Sequence, residues 1–358
     1  MKSYLMNDVE HLIKNEDMLR ALKGKNILIT GATGLIGSFI VKSLCEYEQK
    51  CKSGIHIYAL VRDEEKAKRV FENYLNNLAL HIVVGNINEK IYIDKQLNYI
   101  IHGASITDSK SFVEQPVETI DTLINGTKNI LDLGKKHKIE RFLFLSSLEV
   151  YGRPEENYKV DEKYIGYIDF TSTRSSYSEG KRMAECLCYS YFSEYNVPVV
   201  TARLSQTFGP GVDYNDGRVF AQFARCVING ENIGLNTTGR TYRNYCYIRD
   251  AVAGIFCILA KGTPGEAYNV ANKHTGITIA EMARMVSESE NLGYGKIKVV
   301  FNHPEELQSF GYNPEMKIEL ITEKLEQLGW KAEVDLEQMF VRMIHDMKLQ
   351  RNKNRLES

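Results

Sequence analysis

A doubly wound α/β fold around a parallel sheet is what this chain of 358 residues predicts. Three observations carry that expectation. Strand-like apolar runs alternate with helical periodicity from residue 25 to about residue 200. The first run feeds a Gly31-x-x-Gly34-x-x-Gly37 turn and then a helical pattern. Hydroxyls and a carboxylate (Ser146, Ser147, Glu149) follow the fifth run, at the end where open parallel sheets bind ligands.

Taken in order, residues 1–24 hold one or two amphipathic helical turns (Val9, Leu12, Ile13; Leu19, Leu22). Such an arm packs on its own domain or on a neighbouring subunit. Ile27, Leu28 and Ile29 form a short buried strand. The glycine turn follows, then a helix marked by Ile36, Ile40, Val41 and Leu44. Backbone N–H groups and the positive end of the helix dipole make this junction a pyrophosphate site. The glycines allow the turn, the close approach of a ligand and the close packing of helix on strand. The expected dinucleotide contacts here are Gly31, Thr33, Gly34, Leu35, Ile36 and Gly37.

The second strand, His56–Val61, ends in Arg62 and Asp63. An acidic side chain at this position takes both hydroxyls of the adenosine ribose. An arginine instead suits a 2′-phosphate, through bidentate charge-assisted bonds. Arg62 comes first, so NADP is favoured over NAD, while Asp63 keeps NAD open. A helix is expected over Glu64–Leu78 and a third strand over Leu80–Val84, with Asn86 and Ile87 at the adenine. The fourth strand is Tyr99–His102. Ala104 follows where a cofactor backbone would pass, with Ser105 as a candidate substrate contact. Helical spacing over Val117–Lys135 encloses Asn125-Gly126-Thr127, and Arg141–Ser146 is the fifth strand.

Composition narrows the function. A net charge of -1 argues against a general nucleic-acid or membrane surface. No apolar run reaches the roughly 18 residues of a transmembrane helix. The N-terminal MKSYLMNDVEHLIK lacks the pattern of a secretory signal. Seven cysteines show no paired metal spacing, so they read as reduced, mostly buried thiols of a cytoplasmic protein, and no metal is expected.

Tyr177 and Lys181 are four apart and share a face if Met183–Tyr191 continues one helix. A free phenol titrates near 10, about three pH units too high for a base at neutral pH, which corresponds to roughly 4 kcal/mol. A fixed ammonium and a positively charged nicotinamide ring can supply that stabilisation. Ser147 would hydrogen-bond the same substrate oxygen.

With these residues in place the chain resembles the extended short-chain dehydrogenase/reductases, in their nucleotide-sugar epimerase/dehydratase branch. The resemblance spans residues 24–350 and rests on GATGLIG, SSLEVYG, YSEGK, RLSQTFGPG, RTYRNYCYIRDAVAG, EAYNVAN and KLEQLGW. It implies Ser147, Tyr177 and Lys181 as catalytic residues, with Arg243 holding the sugar-nucleotide diphosphate. It also implies a glutamate of the dehydratase and uronate decarboxylase kind at Glu149, where simple epimerases carry a small or hydroxyl residue. The YSEGKR wording is similar to the decarboxylases. Two positions depart from the branch: Leu148 replaces the acid that expels the 6-hydroxyl in many dTDP-glucose dehydratases, and Gln206 replaces the usual Asn at the sugar.

The resemblance further implies a Rossmann domain (25–205 plus 245–272) and a smaller α/β substrate lobe (206–244 plus 273–350), with an arm (1–24) and a tail (351–358). The expected activity is NAD(P)-dependent oxidation of carbon 4 of a nucleoside-diphosphate hexose or hexuronate, then decarboxylation or dehydration. The alternatives are a 4-epimerase, an NADPH-dependent 4-keto reductase and a non-catalytic dinucleotide-binding scaffold. Relatives pair the Tyr/Lys helix with the preceding long helix as a homodimer, and the apolar run Met183–Phe192 is compatible with that.

Overall fold

The computed structural model of the chain describes residues 3–14, 16–155, 158–292, 297–302 and 315–357. Its strands in chain order are β1 (Asn26–Thr30), β2 (His56–Val61), β3 (Leu80–Val84), β4 (Tyr99–His102), β5 (Arg141–Ser147), β6 (Lys159–Val160) and β7 (Val199–Leu204). They continue with β8 (Gln206–Phe208), β9 (Ile233–Leu235), β10 (Tyr242–Tyr247), β11 (Ala267–Val270), β12 (Asn272–Thr278), β13 (Val299–Phe301) and β14 (Lys317–Leu320).

Seven of them form one parallel sheet in the order β11-β7-β5-β4-β1-β2-β3. The chain starts in the middle, builds outward through β2 and β3, then returns to the other side of β1 with β4. That reversal leaves a crevice at the carboxyl ends of β1 and β4, the ligand position in such sheets. The strands alternate between two cores, as a side-chain period of two requires. Ile27 and Ile29 join a core that includes Phe39, Ile40 and Leu44 of the Leu35–Cys51 helix. Leu28 joins the core of the opposite face, with Ile130, Leu131 and Ala184. That face carries the Thr127–His137 and Ser175–Tyr195 helices. A second, five-stranded sheet runs β12-β10-β14-β6, with β8 beside β10.

Three expected elements differ. The helix from Glu64 stops at Val70, and Glu72–Tyr74 is a tighter 3-10 turn. Phe71 and Tyr74 are both buried, and a turn of three residues aligns side chains three apart on one side. The helix over 117–135 is split into Pro116–Asp121 and Thr127–His137 by a π-turn at Thr122–Gly126. That turn seats Gly126 against Ile87, whose Cδ1 lies 2.5 Å from where a Cβ would stand. Residues 351–357, expected as part of a tail, continue a helix that runs Leu336–Glu357.

The N-terminal arm belongs to the main body. Its helix Tyr4–Ile13 buries Val9, Leu12 and Ile13, and also Asp8. The Tyr247 hydroxyl donates to Asp8 Oδ2, and Arg342 Nη1 and Arg249 Nη1 lie 3.3 and 3.8 Å from Oδ1. One acidic side chain thus joins the first helix, the last helix and the Ile248–Lys261 helix. No helix among the described residues is long and apolar enough to cross a membrane.

Candidate active site

A cleft of about 930 Å³ opens at the crevice, with the glycine turn at one end and Tyr177 at the other. Gly31 has φ +68°, a left-handed conformation, and a Cβ there would stand 2.8 Å from the Gly103 carbonyl carbon. A Cβ on Gly37 would strike the Gly31 carbonyl, whose carbon lies 2.9 Å away. The backbones of β1, β4 and the helix are therefore as close as backbone alone permits. Gly34 is the N-cap of Leu35–Cys51 and offers no side-chain acceptor, which leaves the first-turn N–H groups to a ligand. This cradle fits a dinucleotide pyrophosphate. Thr33, Leu35 and Ile36 line it, and Asn86, Ile87, Ala104 and Ser105 line the cleft farther along.

Below the cradle lies a hydrogen-bonded chain that the motifs did not reveal. Thr30 Oγ1 accepts from the Gly103 and Ala104 amides at 3.2 and 3.1 Å. Its hydroxyl proton is then free for His102 Nδ1, 2.7 Å away, and His102 Nε2–H donates to Thr127 Oγ1 at 3.1 Å. Burial, with the Lys181 charge adding to it, pushes the imidazole down to about 3, so His102 stays neutral.

At the adenosine end the two candidates part. Arg62 lines the cleft, joined by Lys66 and Arg69. Asp63 does not line it: its Oδ1 accepts from the Lys66 amide at 2.9 Å and caps the Glu64–Val70 helix. An Asp followed by two Glu at a helix start is the signal for that duty.

At the other end, the Ser175–Tyr195 helix brings Tyr177 and Lys181 to one face, both lining the cleft with Ser147, Glu149 and Gln206. Ser147 Oγ accepts from the Glu149 amide at 3.2 Å, and the Ser147 side chain works against burial in lowering the Tyr177 phenol. Lys181 Nζ donates to the Leu145 carbonyl at 2.7 Å and lies 5.8 Å from the Tyr177 ring centroid. Burial and the nearby Glu149 carboxylate push Tyr177 well above its ordinary value, and the cations that offset them are Arg174 and Arg218. Lys181 is itself pushed down to about 8 by burial.

Glu149 is held in its ionised form by its neighbours. Burial pushes its carboxyl up, but Arg174, Ser178 and Arg243 outweigh that and hold it below the usual range. Arg174 Nη2 is 2.7 Å from Oε1, and the Ser178 hydroxyl donates to Oε2 at 2.8 Å. Arg174 also lies over Phe112, 4.7 Å from its centroid, and Phe112 stacks on Tyr177 at 4.3 Å. Neither Arg174 nor Phe112 was signalled by the motifs, although Arg174 stands three residues before Tyr177. Arg243 is on β10, outside the cleft wall, and its buried Nε has no hydrogen-bond partner among the described residues.

Comparison with known proteins agrees with this architecture. The family model described as the NAD dependent epimerase/dehydratase family matches residues 27–271. UDP-glucuronic acid decarboxylase 5 of Arabidopsis thaliana is 30% identical over 325 residues, covering 90% of this chain and 89% of the relative. A UDP-glucose 4-epimerase of Thermotoga maritima, solved with UDP-glucose, superposes with a TM-score of 0.74 at 23% identity, covering 91% and 99%. A dTDP-glucose 4,6-dehydratase of Streptomyces venezuelae, solved with NAD, gives 0.75 at 19% identity, covering 92% and 98%. The chain belongs to the NAD dependent epimerase/dehydratase family.

Proposed function

We propose that this enzyme oxidises carbon 4 of a nucleoside-diphosphate hexuronate and releases carbon 6 as carbon dioxide. The observation that carries this reading is the pairing of Glu149 with Arg174 beside a buried Leu148. A carboxyl held ionised is a poor proton donor, and Leu148 has no proton to give. Loss of water needs an acid to expel the 6-hydroxyl. Loss of carbon dioxide from a β-keto acid needs none, because the ketone takes the electron pair. Relatives with 30% identity are named UDP-glucuronic acid decarboxylases, which supports the same choice.

The bound dinucleotide supplies a hydride acceptor and a positively charged ring. Tyr177 takes the proton of the 4-hydroxyl while Ser147 steadies that oxygen. Lys181 holds the nicotinamide ribose and adds positive charge behind the phenol. The diphosphate is assigned to Arg243, Gln206 and Ser105 contact the sugar, and Glu149 steers the proton at carbon 5. Residues 206–244 and 273–350 serve as the substrate lobe. NADP is the preferred cofactor: Arg62, Lys66 and Arg69 line the adenosine end, and Asp63 is engaged as a helix cap. The exposed Met183 and Tyr189 on the Ser175–Tyr195 helix support a homodimer through that face.

The test is a panel of UDP-, GDP-, CDP- and dTDP-sugars, uronates included, read by mass spectrometry. Loss of carbon dioxide supports the reading. Loss of water means dehydration, and a changed sugar of unchanged mass means 4-epimerisation. Stoichiometric consumption of NADPH points to a keto reductase. Dinucleotide binding with no turnover points to a scaffold.

A further inference from the structure

Lys181 is 3% exposed, and its side chain enters the cleft from a helix surrounded by apolar groups. Its ammonium donates to the Leu145 carbonyl and lies 4.7 Å from the Phe144 ring centroid. Among the described residues no carboxylate forms an ion pair with it. An isolated ammonium in such surroundings loses its proton readily. One turn farther along the same helix stands Glu185. Its Oε1 accepts from the Ser146 hydroxyl and from Arg203 Nε at 3.0 Å, and its Oε2 from Arg203 Nη2 at 2.6 Å. Arg203 is fixed in turn by the Tyr151 hydroxyl at 3.1 Å and the Glu162 carbonyl at 2.8 Å. Glu185 therefore cannot turn away. Leu145 and Ser146 are neighbours on β5, so one stretch of strand anchors the lysine and the glutamate together.

The groups that face Lys181 are few. Tyr177, Glu185 and Cys188 lie on its own helix, and His102 of β4 is neutral. Phe144 and Leu145 of β5 bring no charge. Arg203 of β7 reaches the lysine only through Glu185. Among the described residues Glu185 is the anion that supports the ammonium, with Cys188, itself pushed well above its ordinary value by burial, adding to it only as a thiolate.

We propose that Glu185 is a positioning residue of the active site, a fixed counter-charge that keeps Lys181 in its ammonium form beside Tyr177. Arg203 and Ser146 hold the carboxylate at the right place. This rests on the reading that Lys181 works as a cation in the reaction. The effect is long-range and does not need a direct ion pair, which leaves the two ammonium protons not given to Leu145 for the cofactor and the phenol.

The experiment titrates the full-length protein labelled with 13C at the lysine ε-carbons. The Lys181 resonance is the one missing from a Lys181→Arg variant. In the wild type its midpoint is expected near the value of about 8 that burial imposes. In Glu185→Gln, which keeps the shape and the acceptor for Ser146, the midpoint is expected to fall by about one pH unit, a tenfold change. Glu185→Asp keeps the charge and stays closer to the wild type. Where turnover is measurable, the alkaline limb of kcat moves down with the midpoint in the Gln variant. An unchanged midpoint in Glu185→Gln overturns the proposal, as does an equal fall in Glu185→Asp. If Arg203 without its partner prevents folding, the Glu185→Gln/Arg203→Met double variant removes both charges and is expected to lower the midpoint too. If the wild type turns over no sugar nucleotide, the functional reading fails, and the lysine midpoint still decides the role of Glu185.

Discussion

Arg174→Met separates the charge of Arg174 from its bulk. The methionine keeps an apolar stem over Phe112 and removes the guanidinium 2.7 Å from Glu149. Both side chains of the pair are only 12% and 13% exposed. Leaving one partner of a buried pair without the other costs about 3–5 kcal/mol. Unfolding entropy is about 2.1 cal/mol/K per residue, so over this chain each kcal/mol corresponds to about 1.3 °C, and the variant melts about 4–7 °C lower at pH 7. The loss depends on pH. In the wild type the Glu149 carboxyl sits below its ordinary value, so its contribution is present above the ordinary glutamate range and disappears as pH falls through the lowered value. Without Arg174, burial prevails and the carboxyl moves above its ordinary value. Its ionised form then destabilises the fold at pH 7, and protonation relieves this as the solution is acidified. Differential scanning calorimetry from pH 7.5 down to pH 4.5 should show the gap between wild type and variant narrowing. A constant gap across that range, or no gap at pH 7, refutes the claim that Arg174 holds Glu149 ionised.

Three further outcomes are expected. Tyr177→Phe lowers kcat by about 10²–10⁴-fold, while dinucleotide affinity, read by calorimetry, stays within a few-fold. Gly37→Ala drives a methyl into the Gly31 carbonyl, and fluorescence titration should find dinucleotide binding weakened by about tenfold or more, with a fall in stability of about 1–3 kcal/mol. Arg62→Ala weakens NADP by about tenfold, the value of one hydrogen bond to a charged group, and leaves NAD unchanged. Equal losses for the two cofactors would remove the 2′-phosphate reading.

The parallel sheet was legible because its strands are short apolar runs buried on both faces, and a run such as ILIT carries that signal without neighbours. The glycine turn was legible for a local reason as well: each glycine answers a backbone contact within seven residues or at the adjoining strand. The breaks at Phe71 and Thr122 were not legible, since both arise where a helix must seat side chains or backbone against something distant in sequence. The strands of the second sheet are two to seven residues long, and partners such as β6 and β14 lie more than 150 residues apart, so no periodicity announces them. In the site, Ser147, Tyr177 and Lys181 line one cleft, and the four-residue spacing of the last two sets them on one helix face. Arg174, Phe112 and His102 act through contacts that only the folded chain creates. Asp63 shows the reverse case, a residue whose place in a familiar position suggested a ligand while the adjoining Glu64 and Glu65 already marked a helix start.

The Asp8 cluster has a practical consequence for anyone who trims this gene. A fragment begun at the first strand, close to where the family model starts matching at residue 27, would look complete by alignment. It would take the Asp8 carboxylate from Arg342, leave Arg249 to Asp250 and Glu333, and uncover the apolar seat of Val9 and Leu12. Such a fragment is expected to aggregate on expression, and a separately supplied peptide of the first two dozen residues should rescue its solubility.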